Sequence, residues 1–497
     1  MLTVIILAVY MVAMLAIGFY LKDKIDTSRD YYVAGRALPW YLVIMTMAAT
    51  YIGAGATLAD TGLSYDLGMQ EFVSTIVTMA AMFLFGFVSP RISRIGFKYD
   101  IVSVSGLISW RFGKFMGVCS AIVVMWALTG TLSGQVSGAA TVIPLIFNEV
   151  GVHVSYGIAA TIMVAVMVAY TVMAGMFGVA WTDFIQCIIL LIGMAIILPA
   201  VLFGQVEGGM SNLPNLLPEG FLSLKPGAYV ISLSVSYLCY FFAGPPYWQR
   251  TFSSDKPETA RIGAVGGVCV ILFYSIMVML LGVVARAILP VKPDGLESQG
   301  VVVHLMIQHC PAIISAIVCC AILAAIMSTM SSYLLTAVQA LITDIIKAFI
   351  TLTDEAEIKL ARWLVVLVGA ACLAVALWVK TILAVLLMAW GFYSATMAAS
   401  VAGATFWRKA TTAGSFASLF GGLIIYFFQY ATGVAPWGLD PTVVAAVCSI
   451  LLMIIVSLIT YPKHPAPFFE GVSKHDGIVR KADLPEEETK GRVDVWF

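Results

Sequence analysis

Charged residues are scarce in this 497-residue sequence, in which Asp, Glu, Lys and Arg together make up 11%, against about 25% in soluble domains. Basic and acidic residues number 27 each, so no net positive field is available to hold nucleic acid. No polar stretch is long enough for a soluble domain, and no GxxxxGK[ST] motif indicates an ATP site. The 61% of hydrophobic residues and the mean hydropathy of +0.98 are typical of a polytopic membrane protein.

The cysteines indicate neither disulfide bonds nor a metal site. The nine cysteines include no CxxC pair, and their odd number and spacing fit neither a disulfide framework nor a zinc site. We expect them to be small apolar residues within helices. The first apolar run has no basic residue before it and no A-x-A site after it, so we interpret it as a retained span rather than a signal peptide.

Runs of about 20 or more mostly apolar residues predict thirteen membrane-spanning helices. We place them at residues 2–21, 38–61, 71–90, 115–146, 155–175, 180–204, 228–248, 262–288, 311–343, 363–382, 384–407, 411–430 and 441–461. With this odd number, most Lys and Arg residues fall in loops on one side of the membrane. The positive-inside rule then predicts the N-terminus outside and the C-terminus in the cytoplasm.

Two predicted spans contain residues that interrupt a regular helix. Span 2 holds Gly53 and Gly55, and span 7 holds Gly-Pro-Pro at 244–246. In transporters with inverted repeats, interrupted spans at matching places mark the binding site. The two spans are five apart, which fits repeats of spans 2–6 and 7–11. Packing glycines and a simple kink remain the alternative, because both residues are common in membrane helices.

Span 9 is rich in hydroxyl side chains, which crowd into less than three turns: Ser328, Thr329, Ser331, Ser332 and Thr336. Hydroxyl and carbonyl oxygens without a full carboxylate suit a weakly charged hard cation such as sodium. Close helix packing, with hydroxyls bonded to carbonyls one turn earlier, is the alternative.

Asp183 is a carboxylate at the start of span 6. A carboxylate at membrane depth is costly and usually has a partner. We expect it either to pair with a cation or to be hydrated at the interface.

Four motifs carry a resemblance to a known family: RDYYVAGRALPW before span 2, YTVMAGMFGVAWTDFIQ around span 6, PPYWQRTFSSDKPETARIG after span 7 and AAIMSTMSSYLLTAVQALITDIIK in span 9. The sequence resembles the sodium:solute symporter family, which includes proline, pantothenate, sugar, sialate, monocarboxylate and choline carriers. The motifs occur in the order that the family shows, and the resemblance extends from span 1 to about span 12.

The resemblance implies an all-α membrane protein with a five-plus-five inverted-repeat (LeuT-like) core and extra peripheral helices. Residues 1–37 would form the first span and a cytoplasmic loop, and residues 38–410 the ten-helix transport core. Repeat one would cover about 38–204, and repeat two about 228–408. Residues 411–461 would form two peripheral spans, and residues 462–497 a flexible cytoplasmic tail.

The resemblance also implies a sodium site between the broken span 2 and span 9. Its ligands would be the carbonyl groups of Ala49, Ile52 and Ala325 and the hydroxyl groups of Ser328 and Thr329. Some family members have a second sodium site, which would use Asp183, Ser331 and Ser332 here. Na+ is therefore the expected coupling ion.

The substrate pocket is expected beside the break in span 2, against spans 4, 7 and 11. The candidate residues are Tyr51, Gln135, Tyr247, Trp248, Trp390 and Tyr393. The run MTMAATYIGAG looks most like the pantothenate and choline carriers, whereas Tyr51 replaces the aspartate usual in proline carriers and the asparagine usual in sugar carriers. Tyr51 is suited to a cation–π contact with an amine, to gating or to plain packing.

These features predict a secondary active transporter of the inner (plasma) membrane, and not an enzyme, that takes up a small organic solute with sodium by alternating access. The solute is expected to be carboxylate or amino-acid-like, of the pantothenate, proline or monocarboxylate class, with a choline-like quaternary amine as the alternative. A proton-coupled carrier and a solute sensor without transport are rival hypotheses. The lipid bilayer is the expected surrounding, and neither nucleic acid nor an obligatory protein partner is indicated.

Overall fold

The computed structural model describes residues 2–21, 25, 27–149, 151–379, 381–434 and 436–472. The regular structure of these residues is helical, and the β-type contact found among them is an isolated bridge between Leu38 and Ser254. The prediction of an all-α protein is therefore confirmed. Lys22 and Lys24, which we expect in the first cytoplasmic loop, and residues 473–497 of the expected tail lie outside the described residues.

Apart from Val104–Phe112 and Val301–His309, the longer helices overlap predicted spans. They are α1 (Leu2–Leu21), α2 (Trp40–Tyr51), α3 (Asp60–Leu67), α4 (Glu71–Tyr99), α5 (Val104–Phe112), α6 (Lys114–Glu149), α7 (Tyr156–Met173), α8 (Gly175–Phe203), α9 (Ala228–Ala243), α10 (Pro245–Ser253), α11 (Pro257–Ile288), α12 (Val301–His309), α13 (Ala312–Gln339), α14 (Asp354–Trp378), α15 (Ile382–Phe406), α16 (Thr412–Thr432) and α17 (Pro441–Thr460). Gly175 has φ 52° and ψ −164°, and this break separates α7 from α8.

Shorter helical segments complete the described chain. They are Ser28–Val33, Ala34–Arg36, Gly55–Ala59, Gly68–Gln70, Met210–Asn212, Leu213–Leu216, Ser298–Gly300, Ala340–Ile345, Ile346–Ala348 and Pro436–Gly438, and a π-helical segment, Leu191–Ile197, lies within α8. Most of them are single turns that join the long helices.

Eleven helical segments of the described chain are long and apolar enough to cross a membrane. Two shorter apolar helices, Ile5–Tyr20 within α1 and Trp40–Tyr51, occupy the positions of other predicted spans. α2 is short because span 2 is interrupted: the chain resumes as a π-helical segment at Gly55–Ala59 and continues through α3, beyond the predicted end at residue 61. The exact number of thirteen spans remains a prediction.

Both predicted helix interruptions are confirmed by the backbone. Ile52 ends α2 with ψ 86°, and Gly244 separates α9 from α10 with ψ 122°. A Cβ atom on Gly53 would lie 2.5 Å from Oε1 of Gln135 and 2.7 Å from Oγ1 of Thr329. Only glycine allows the broken end of α2 to approach α6 and α13 this closely.

α13 is the most enclosed of the long helices, and it packs against α1, α2, α6, α7, α8 and α14. Every residue from Val318 to Gln339 is buried. Because this part of the helix is enclosed on all sides, the hydroxyl groups of α13 face other helices rather than lipid. α16 and α17 pack against each other and against α15.

The first part of the expected flexible tail is packed against the bundle. Phe469 is fully buried, and its ring stacks on Trp110 with centroids 4.3 Å apart. Arg111 donates hydrogen bonds to the carbonyl groups of Ala466 and Trp407, and its guanidinium lies 4.7 Å from the Phe468 ring centroid. Residues 462–472 therefore differ from the expectation, because their aromatic side chains bury apolar surface that composition alone did not indicate.

We expect Phe469→Ala to lower the midpoint of thermal unfolding in detergent, because truncating a buried phenylalanine typically costs about 3–5 kcal/mol. Phe428→Ala is the matched control, since it removes the same atoms from a side chain that is 61% exposed. Equal shifts in the two variants would show that the Phe469 contact does not stabilise the protein.

Candidate functional site

The broken end of α2 lies directly against the hydroxyl groups of α13. Oγ of Ser328 donates to the carbonyl oxygens of Ala49 and Ala325, each at 3.0 Å. Oγ1 of Thr329 lies 3.2 Å from the same two oxygens and 3.4 Å from the carbonyl oxygen of Thr50. All of these residues are buried.

This cluster has more acceptors than donors. Three carbonyl oxygens and two hydroxyl oxygens converge, but each hydroxyl group has only one proton to donate. Such an oxygen-rich, proton-poor group suits a hard monovalent cation, toward which the hydroxyl lone pairs can turn. The chemistry of the predicted sodium ligands therefore fits the ion.

Ile52, the remaining predicted ligand, ends α2 with a non-helical ψ of 86°, which turns its carbonyl group out of the helical direction. Within the described residues this carbonyl makes no hydrogen bond to the Ser328 or Thr329 hydroxyl group. The amide of Ala54, just beyond the break, donates to Oε1 of Gln135 at 2.6 Å. Gln135 thus satisfies a backbone donor that the broken helix leaves without a carbonyl partner.

Asp183 and Ser332, which we predict at a second sodium site, lie together in the interior. Oδ2 of Asp183 accepts hydrogen bonds from Thr46 at 2.5 Å and from Ser332 at 3.2 Å. The Ser331 hydroxyl group instead donates to the carbonyl oxygen of Ser328 in its own helix. Asp183 is fully buried, so hydration at the interface is wrong for this residue.

Arg250 of α10 provides a positive charge at this second position. Its Nη2 lies 3.8 Å from Oδ2 of Asp183, and the same nitrogen contacts Oγ of Ser332. Nε donates to Thr46 at 3.2 Å, and Nη1 donates to the carbonyl oxygen of Pro246 at 2.9 Å. Arg250 was not predicted as a site residue. The signal for it in the sequence is an arginine four residues after the Gly-Pro-Pro break.

A narrow cavity of about 20 Å³ of water-accessible volume lies beside the broken span. Of the predicted substrate residues, Tyr51, Gln135 and Trp390 line it, and so does Thr329. This volume holds little more than a water molecule, so the surrounding side chains must move apart to admit a solute. The other lining residues are Gly55, Ala56, Asp60, Thr131, Tyr237, Phe241 and Tyr333.

Three predicted substrate residues are buried but do not line this cavity. The Tyr393 hydroxyl group donates to the carbonyl oxygen of Ala243 at 2.7 Å, and Nε1 of Trp248 donates to that of Phe242 at 3.2 Å. The Tyr247 ring packs 5.7 Å from the Phe241 ring. Tyr247 thus packs against a lining residue, whereas Tyr393 and Trp248 bind carbonyl groups at the end of α9. The sequence pattern could not distinguish these positions from the lining itself.

Two solved structures share this fold. The substrate-bound outward-open state of a Na+-coupled sialic acid symporter has a TM-score of 0.82, covering 95% of this chain and 99% of that chain at 18% identity. A closed conformation of Mhp1, a nucleobase-cation-symport-1 family transporter, has a TM-score of 0.59, covering 89% and 96% at 13% identity. At these identities the likeness shows the fold alone, and the fold class is that of LeuT-like sodium symporters.

Residues 31–422 match the model of the sodium:solute symporter family. Because this match covers most of the sequence, the chain belongs to the sodium:solute symporter family. The protein is therefore a multi-pass membrane transporter whose coupling ion is sodium, as the sequence motifs predicted.

Named relatives extend over most of the chain. It is 25% identical to the osmoregulated proline transporter OpuE of Bacillus subtilis, over 93% of this chain and 95% of that protein. It is 27% identical to a sodium/proline symporter of Staphylococcus aureus over 96% of both. The sodium/pantothenate symporter of Haemophilus influenzae is 24% identical, over 66% of this chain and 69% of that protein.

We expect Asp183→Asn to lower thermal stability in potassium medium, because it leaves the buried Arg250 without its charge partner. Breaking a buried ion pair in this way typically costs about 3–5 kcal/mol. The double variant Asp183→Asn/Arg250→Gln should unfold at a higher temperature than Asp183→Asn alone. If the double variant is no more stable, Arg250 does not depend on Asp183.

Proposed function

We propose that this protein takes up a small organic solute together with sodium by alternating access. The sodium ligands in this proposal are the carbonyl groups of Ala49, Ile52 and Ala325 and the hydroxyl groups of Ser328 and Thr329. The observation that supports it is the excess of oxygen acceptors over protons where α2 breaks against α13.

Thr329 provides a physical link between ion and solute. Its hydroxyl group belongs to the oxygen cluster, and its side chain also lines the adjacent cavity. A sodium ion bound here would hold α2 and α13 in the arrangement that shapes the cavity. The ion shifts the equilibrium between this arrangement and an alternative one only by the difference between its affinities for the two. Inward movement of one positive charge contributes about 2.3 kcal/mol per 100 mV of membrane potential.

The solute in this proposal is carboxylate or amino-acid-like, of the pantothenate, proline or monocarboxylate class, and the named relatives support the first two of these classes. A choline-like quaternary amine is the second candidate, favoured by the aromatic residues that line the cavity. A solute sensor without transport remains a rival, and flux into proteoliposomes distinguishes it from a carrier. The proposal includes no enzymatic step, no nucleic-acid partner and no obligatory protein partner.

A second sodium at Asp183, Ser331 and Ser332 is a separate part of the proposal. Such an ion would share Asp183 and Ser332 with the guanidinium group of Arg250. Two cations on one carboxylate repel each other. The oxygen open to the ion is therefore Oδ1 of Asp183, which has no hydrogen-bond partner among the described residues, whereas Oδ2 faces Arg250.

We expect Ser328→Ala and Thr329→Ala each to raise the sodium concentration for half-maximal uptake about tenfold or more, because each removes one oxygen ligand. Thr329→Ser keeps the oxygen and should retain most function. Uptake of L-proline and of pantothenate into proteoliposomes, and the sodium-induced rise in unfolding temperature, measure the effect. Wild-type sodium dependence in both alanine variants would mean that this part of α13 serves packing.

The proposed location is the inner (plasma) membrane, with the N-terminus outside and the C-terminus in the cytoplasm. A cysteine at His464→Cys, exposed beyond α17, should react with a membrane-impermeant maleimide only after cells are permeabilised. Asp294→Cys, in the exposed loop after α11, is the control and should react in intact cells. The reverse pattern, measured above the background of the native cysteines, would invert the proposed orientation.

A further inference from the structure

Asp60 places a carboxylate in the wall of the cavity. It begins α3, is 8% exposed and lines the cavity together with Tyr51 and Trp390. In the part of the chain that the structure describes, no hydrogen bond or ion pair reaches its carboxylate group. A buried carboxylate without a partner is unfavourable, and a cation brought in by a ligand would supply the missing partner.

We propose that the transported solute carries a positively charged amine, which Asp60 and the aromatic residues around it bind. The inference rests on the proposed transport function and narrows its solute to the amino-acid-like and choline-like candidates, setting aside pantothenate and the monocarboxylates. It covers simple ammonium compounds and zwitterions, because both present a cationic nitrogen.

Four of the five aromatic residues that line the cavity form a continuous cluster from three helices. Tyr51 of α2 lies 4.9 Å from Phe241 of α9, measured between ring centroids. Trp390 of α15 lies 5.4 Å from both Phe241 and Tyr237. The faces of such rings attract cations, and cages of this kind with a carboxylate nearby recognise ammonium groups.

The polar residues of the cavity are also those expected for a cationic ligand. None of the described residues that line it is Lys, Arg or His. The indole N–H of Trp390 donates to Oγ1 of Thr131 at 2.9 Å, which holds the ring in position. A solute whose only charge is a carboxylate would meet Asp60 without a side chain of opposite sign, whereas an amine would meet its counter-charge.

Asp66 provides a matched control on the same helix. Its carboxylate lies 3.5 Å from the ammonium group of Lys292 and accepts a hydrogen bond from Ser298 at 2.6 Å. It is partly exposed and does not line the cavity. Asp60→Asn and Asp66→Asn therefore remove the same charge from one helix, inside and outside the proposed amine site.

The experiment measures the unfolding temperature of purified protein in sodium and in potassium medium. The probes with a positively charged nitrogen, called cationic probes below, are choline, ethanolamine and the zwitterions glycine betaine and L-proline. The probes without an amine are propionate, lactate and pantothenate, and 3,3-dimethyl-1-butanol is the uncharged analogue of choline. Wild-type protein should be stabilised by at least one cationic probe. If that probe is choline, its uncharged analogue should have no effect, a comparison that needs no variant.

We expect Asp60→Asn to weaken the binding of that cationic probe about tenfold or more, while Asp66→Asn binds it as the wild type does. Asp60→Asn should keep the stabilisation by sodium alone, which also shows that the variant is folded. Failure of sodium to stabilise the wild-type protein would contradict the proposed function, whereas amine binding in potassium medium would still test Asp60.

Four results would overturn the proposal. The first is that only the probes without an amine stabilise the protein, and the second is that no cationic probe does. The third is that Asp60→Asn binds the amine within about twofold of wild type. The fourth is loss of the sodium effect in Asp60→Asn, which would assign this carboxylate to the ion. If uptake by Asp60→Asn loses only its pH dependence and amine binding is unchanged, Asp60 exchanges protons instead.

Discussion

The contact between the broken end of α2 and α13 is the constraint on which the rest of the site depends. Ending α2 at Ile52 leaves the carbonyl group of Ala49 available to the hydroxyl groups of Ser328 and Thr329. The approach is possible because Gly53 has no side chain to meet Gln135 and Thr329. Since Thr329 also lines the cavity, a change in this contact alters the oxygen cluster and the cavity together.

Two buried aspartates, Asp183 and Asp60, differ in the partners of their carboxylate groups. Oδ2 of Asp183 has Arg250 as its counter-charge and Thr46 and Ser332 as hydrogen-bond partners, while its Oδ1 has no hydrogen-bond partner among the described residues. Asp60 faces the cavity without such a set of partners. A buried charge that is neutralised by another residue stabilises one arrangement of helices. A buried charge without such a residue favours the binding of a ligand of opposite charge.

The membrane fold and part of the site could be predicted because their signals are local. Glycine and proline interrupt a helix wherever neighbouring residues allow it, so both breaks were predicted correctly. The hydroxyl groups of α13 were visible as a run within three turns. The tail segment was not, because Phe468 and Phe469 gain their partners from α4 and α5, far away in the sequence.

The helical membrane class, the approximate spans, the positions of the breaks and the family all follow from the sequence alone, since apolar run length and short motifs do not depend on partners. The pairing of Arg250 with Asp183, the position of Asp60 at the cavity, and the burial of Tyr247, Trp248 and Tyr393 away from its lining come from the tertiary structure. Each of these outcomes depends on which faces of distant helices meet, and that is set by the packing of the whole bundle rather than by any local pattern.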